Sequence, residues 1–185
     1  MKIACLGWGS LIWKPGQLPV EGSWYADGPE VPVEFARVSD GGEVATALCL
    51  NAGPVQVFWA LLATASLDTA CKALREREGI PEQRVDGAGI MLTSHTATGP
   101  LETWARSKNI DALIWTALPA RTDSTEGRVP GVEEVINYLQ QLEGEKRDHA
   151  RRYIDQVPRQ INTAYRRAIA DALGWQHPDN ANAAL

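Results

Sequence analysis

The sequence predicts an α+β protein, a small mixed β-barrel or curved sheet with flanking helices, on three observations. Short apolar and alternating segments cluster in the first 118 residues. From Gly131 onward apolar residues recur at helical spacing instead. The chain has 185 residues, 44% of them hydrophobic and 22% charged, which suits one domain with a real core. That domain is expected over 1–175, with a helical C-terminal part from about 131 and a flexible tail at 176–185.

Taken in order, Lys2 to Leu6 reads as a short apolar strand that runs into the glycine-rich GWGS. A loop rich in Gly and Pro follows from Trp13 to Pro29. Val31, Val33 and Phe35 then alternate at strand period, and Gly41–Gly42 turns the chain into a second strand, Val44 to Leu50. Val55 to Ala63 is apolar on both faces, as a central strand is. Ser66 is a helix N-cap, with Asp68 favourable in the first turn. The helix it opens, Leu67 to Glu78, carries Leu67, Ala70, Cys71 and Leu74 on one face and stops at Gly79 and Pro81. Ala88 to Ser94 and Asp111 to Leu118 read as strands, with a short helix around Leu101 to Ser107 between them. Two helical stripes close the chain. Val132, Val135, Ile136, Leu139 and Leu142 form one, and Ala164, Tyr165, Ala168, Ile169, Ala172 and Leu173 the other.

Several function classes are excluded. Cys5, Cys49 and Cys71 are far apart, odd in number and without a C-x-x-C, so neither a disulfide framework nor a cysteine zinc site is expected. His95, His149 and His177 have no ligand spacing, and no metal or cofactor is expected. The longest apolar run, Val55 to Ala65, is well short of the ~20 residues a membrane span needs. The N-terminus lacks a signal-peptide pattern, and a cytoplasmic location follows as an expectation. The net charge is −5. Seven basic residues against three acidic ones between Glu145 and Arg167 give that segment a local net of +4 and leave −9 for the rest. The segment reads as a solvated helix face or as a source of one pocket arginine. Its two tyrosines, Tyr153 and Tyr165, make a poor nucleic-acid stacking platform, so neither nucleic acid nor membrane is an expected partner.

One carboxylate stands out. Each helical residue advances ~100°, so Glu78, eleven positions after Leu67, returns to the apolar face. Glu76 points nearly the opposite way. Glu78 is therefore either a carboxylate aimed at the core side, placed for general acid–base work, or a residue of a fraying last turn that bends outward to solvent or pairs with Arg75 or Arg77. The GWGS stretch offers consecutive unhindered N–H groups, so it is either an anion cradle or a plain tight turn. A dinucleotide fingerprint is excluded, since Ile12 stands where its third glycine would be, and so is a P-loop.

Together these segments resemble the gamma-glutamyl cyclotransferase superfamily. Its members open with a strand leading into a GS-containing loop, read in ChaC-type members as GYGSLIW and here as GWGSLIWKPG, Gly7 to Gly16. Their catalytic glutamate ends a helix in an L-x-x-[RQ]-E-G context, here Leu74 to Gly79, which falls on Glu78. The resemblance covers residues 2 to about 118, and the tail from Gly131 looks more like a bacterial subgroup without an assigned substrate. Trp8 replaces the loop's usual tyrosine, and the tyrosine often found after the glutamate is absent from GIPEQR, 79–84.

The resemblance implies the fold, a small γ-glutamyl substrate and a cofactor-independent reaction of glutathione metabolism. Glu78 acts as general base and proton shuttle while the substrate's α-amine attacks its own γ-carbonyl, releasing 5-oxoproline and an amine or peptide. It also implies that Gly7, Trp8, Gly9, Ser10 and Leu11 bind substrate, the N–H groups of Gly9, Ser10 and Leu11 holding its carboxylate. The alternative is a non-catalytic member of the same fold that binds a small carboxylate or a protein partner. The sequence leaves the oligomeric state open.

Overall fold

The structure, a computed structural model, describes residues 1–96 and 98–175. Its strands are β1 (Ile3–Gly7), β2 (Val20–Tyr25), β3 (Glu30–Val38), β4 (Val44–Leu48), β5 (Pro54–Gln56), β6 (Phe58–Leu62), β7 (Gly87–Leu92) and β8 (Ala112–Ala117). Its helices are α1 (Leu67–Glu78), α2 (Pro100–Ser107), α3 (Val132–Gln141), α4 (Gly144–Gln156) and α5 (Ala164–Leu173). The protein is thus mixed α+β, with its strands in two sheets. Among the described residues neither sheet closes into a barrel. The five-stranded sheet runs β2-β6-β1-β8-β7, so β2 and β7, which would have to pair for closure, lie at its opposite edges. The expected tail at 176–185 lies outside the described residues.

The chain divides into two compact units, one of Met1–Val31 and Gln56–Leu118, the other of Pro32–Val55 and Pro119–Leu185. In the first, β1 pairs antiparallel with β6 and parallel with β8, while β2 and β7 add antiparallel at the edges. Strand alternation divides this sheet's residues cleanly. Ile3, Cys5, Ala112 and Ile114 pack with Ala70 and Leu74 of α1 on one face. Trp59, in register with Leu6, meets Trp104 of α2 edge-on at 5.4 Å on the other. The segment expected as a central strand, Val55 to Ala63, breaks at fully buried Val57, whose N–H turns back to the Pro29 carbonyl at 3.0 Å. Its second half, β6, takes the interior position between β2 and β1. β2 arises within the segment read as loop, because an edge strand exposed at Glu21, Gly22, Ser23 and Tyr25 leaves little apolar alternation to read.

In the second unit, β3 pairs antiparallel with β4, and α3, α4 and α5 follow. α4 buries only Ala150, Tyr153 and Ile154, too sparse a stripe to distinguish it from a solvated basic segment. Two buried charges organise the end of this unit. Glu34, 3% exposed, accepts the backbone N–H of Tyr165 at 3.2 Å, putting an anion at the N-terminus of α5. Arg166 donates to the carbonyls of Ile154, Val157, Pro158 and Ile161 at 2.7–3.1 Å. It therefore satisfies carbonyls that the end of α4 leaves without helical partners. Its guanidinium also lies 5.8 Å from the Phe35 ring centroid.

Arg166→Met removes all four donations while keeping much of the volume. We expect it to destabilise the protein by about 3 kcal/mol or more, read as a lower urea midpoint, since buried acceptors are left unpaired. Arg166→Lys, with a single nitrogen, should fall between the two; a midpoint unchanged in the Met variant would show that these bonds contribute nothing net.

Candidate active site

α1 ends where its sequence says it must. Ser66 accepts the N–H of Thr69 at 3.2 Å and opens the helix. At the other end Gly79 sits at φ +65°, with its N–H on the Glu76 carbonyl and the Ile80 N–H reaching back to Arg75 at 2.9 Å. This paired closure is a Schellman cap, so Glu78 is the fixed last residue of the helix and does not fray. Arg75 reinforces it by donating to the carbonyls of Pro81, Arg84 and Asp86 in the turn that follows.

Glu78 is 15% exposed and faces the sheet. Its Oε1 accepts the hydroxyl of Thr116 on β8 at 2.9 Å and lies 3.6 Å from Nη1 of Arg77. The carboxylate thus points inward from a helix end that does not fray, and it also pairs with Arg77. Among the described residues Oε2 makes no hydrogen bond or ion pair. The carboxylate's field reaches β1. Burial pushes the Cys5 thiol far above its usual range, and the charges of Glu78 and then Cys71 add to the rise. A carboxylate at a helix C-terminus opposes the macrodipole, and the adjacent Arg77 cation and the Thr116 hydroxyl offset that.

The glycine loop leaves β1 on the same side. Trp8, Gly9 and Leu11 are buried and Ser10 half-buried. The loop turns on itself through Ile12 N–H to Gly9 at 3.1 Å and Lys14 N–H to Ser10 at 2.8 Å. Among the described residues the N–H groups of Gly9, Ser10 and Leu11 find no acceptor. Gly7 is a glycine because Trp24, reaching across β6, lays its ring over the end of β1; a Cβ there would come within 2.5 Å of the ring. The Trp24 indole N–H is buried without a partner among the described residues.

Arg77 joins the two halves. Its Nη2 donates to Ser10 Oγ at 3.0 Å and to the Lys14 carbonyl at 2.7 Å, and its Nε donates to that carbonyl at 2.9 Å. The structure therefore brings together Glu78 and the loop residues Gly7 to Leu11 within the first unit. It adds Thr116 and the bridging role of Arg77, which sequence reasoning did not assign. A hydroxyl in step with Ala112 and Ile114 on β8 is the signal that could have found Thr116.

The remaining candidates lie elsewhere. His149 pairs with Glu43 at 2.8 Å, His95 is exposed, and His177 falls outside the described residues. Among the described residues no group of three or more His, Cys, Asp or Glu is arranged to hold a metal ion, and no helix is long and apolar enough to cross a membrane. Two surface depressions, one around Lys146, His149 and Arg152 and one around Leu61 to Ala65, include neither the loop nor Glu78. No family model matches the chain, and no curated protein matches it.

Gly7→Ala should cost about 1–3 kcal/mol in urea unfolding through overpacking against Trp24. Adding Trp24→Leu to the same chain should recover most of that loss, whereas a neutral Gly7→Ala would remove Trp24 as the reason for the glycine.

Proposed function

We propose that the chain is a gamma-glutamyl cyclotransferase-like enzyme of the cytoplasm, with the fold of that superfamily, acting on a γ-glutamyl amine or peptide such as glutathione. The observation that carries this reading is the pairing of an anchored, largely buried carboxylate, Glu78, with a glycine loop whose three consecutive N–H groups are unclaimed. The first is what a proton shuttle requires, and the second is what a substrate carboxylate requires.

In the proposed reaction the substrate's α-carboxylate accepts hydrogen bonds from Gly9, Ser10 and Leu11. The α-ammonium gives one proton to Oε2 of Glu78, the oxygen without an internal partner. The freed amine attacks the γ-carbonyl carbon, the C–N bond forms, and the carbonyl electron pair moves onto oxygen. When that oxyanion collapses, the bond to the leaving nitrogen breaks. Glu78 gives its proton to the departing nitrogen and takes the second proton from the new ring nitrogen, so that the neutral lactam is left. It passes that proton to the amine, which leaves as an ammonium with Glu78 ionised and ready for another cycle. The attack is intramolecular, so holding the substrate bent supplies much of the acceleration. Trp8, where the family usually has tyrosine, and the missing tyrosine after Glu78 bear on which γ-glutamyl compound fits.

The test is 5-oxoproline release from a panel of γ-glutamyl dipeptides, glutathione and γ-glutamylamines. Glu78→Gln, with unchanged circular dichroism, should lower kcat/KM on the best substrate by on the order of 10²–10⁴-fold, the usual worth of a general base. Undiminished turnover in that variant removes Glu78 as the base. No product from any compound, by a folded protein, leaves the carboxylate-binding module as the better reading.

A further inference from the structure

We infer that Arg77 is a positioning residue that locks the substrate-binding loop and the Glu78 carboxylate into one rigid site. The inference rests on the reading above and assigns a role to a side chain that touches neither the substrate nor the reacting atoms in it.

The guanidinium is used from every side. Nε and Nη2 face the loop, holding Ser10 Oγ and the Lys14 carbonyl, and Nη1 faces Glu78. The side chain is only 14% exposed, so these bonds are little weakened by water. The loop closes onto its stem as well. Gly16 stands at φ +60°, and a Cβ there would lie 3.1 Å from Arg77 Cγ, so the lack of one lets the backbone approach. Behind Arg77 the Schellman cap fixes the end of α1, which gives the strut a firm base. A planar, forked donor set suits this task, and lysine, with one nitrogen, cannot span both partners.

The two ends of the strut serve different steps. On the loop side it sets where Gly9, Ser10 and Leu11 present their N–H groups, and so governs substrate binding. On the helix side it shares Oε1 with Thr116 and keeps Oε2 clear for the proton, and so governs turnover. Cutting one end should therefore affect one kinetic constant, and cutting both should affect both.

The experiment compares four variants of the whole protein in the 5-oxoproline assay, with amide hydrogen exchange at Ile12 and Lys14, whose N–H groups hold the loop's own turn. Ser10→Ala should raise KM, and Thr116→Val should lower kcat. Arg77→Ala should do both, by roughly tenfold each, as expected for losing a charge-assisted bond at either end. In Arg77→Ala the Ile12 and Lys14 amides should exchange about tenfold faster or more, while β1 and β8 amides keep their protection. Millimolar guanidinium should restore part of the lost kcat, a recovery that a general loss of folding would not show. Arg77→Lys should behave like the Ala variant, and it carries the same exchange test if Arg77→Ala does not fold. Unchanged exchange at Ile12 and Lys14 in whichever of the two folds overturns the inference, as does a fall in kcat with KM unmoved in Arg77→Ala. If no γ-glutamyl compound cyclises, or Glu78→Gln keeps full turnover, the proposed function fails and the exchange result alone decides the role of Arg77. If Glu78→Gln is inactive while Arg77→Ala matches the parent, only this inference fails.

Discussion

The left-handed turn at Gly79 governs the candidate site. It stops α1 one residue past Arg77, with Glu78 facing the sheet and Glu76 in solvent. Each residue added or removed would rotate the last side chain by about 100°, enough to turn the carboxylate away from Thr116. The cap also places the macrodipole's negative end behind a carboxylate, an arrangement that needs cations close by. Arg75 and Arg77 occupy the last turn for that reason, but they divide the labour. Arg75 wraps the turn between α1 and β7, and Arg77 turns to the glycine loop. A helix end that is electrostatically awkward is thereby braced by both Arg75 and Arg77.

The surplus of tryptophan over phenylalanine, seven against two, has a local physical use. Two of the rings cover glycines that have no side chain to fill the sheet surface. Trp24 lies over Gly7, and Trp115 covers its cross-strand neighbour Gly89, where a Cβ would fall 2.1 Å from the indole. Large flat rings restore the packing that glycine gives up in a strand. Trp59 and Trp104 are used differently, with their N–H groups converging on Asp27. The Lys108 ammonium and the Trp59 N–H hold the Asp27 carboxyl below its usual range. Phenylalanine could cover the glycines but could not supply those donors.

Whatever depended on neighbours in sequence was legible. Ser66, Asp68 and Gly79 each act within one turn of themselves, so α1 could be bounded residue by residue and Glu78 placed by phase. β1 and its glycine loop were legible for the same reason. What depended on partners far along the chain was not. Thr116 meets Glu78 through sheet register, 38 residues away, and Arg77 meets Ser10 across 67. The edge strand β2 and the sparse face of α4 bury too little to carry a periodic signal. The choice between barrel and open sheet turns on whether β2 finds β7, which no local pattern encodes.

The charge asymmetry also changes meaning once the arginines are followed to their partners. Between Glu145 and Arg167 the sequence shows a basic block, which could have offered a cation to an anionic substrate. Much of it is committed within the second unit. Arg166 is spread over four carbonyls, Arg147 stacks on Trp175, Arg151 pairs with Asp155, and Arg167 holds Asn162. In the first unit the cation nearest the site, Arg77, is equally committed, to Ser10, Lys14 and Glu78. Among the described residues the N–H groups of Gly9, Ser10 and Leu11 on the glycine loop are unclaimed, and in the proposed reaction they hold the substrate's carboxylate. Neutral donors suit a site of this kind. In the proposed reaction a mobile cation beside Glu78 would compete with the substrate's ammonium for the same carboxylate, whereas backbone N–H groups would bind the other end of the molecule and leave Oε2 to the proton.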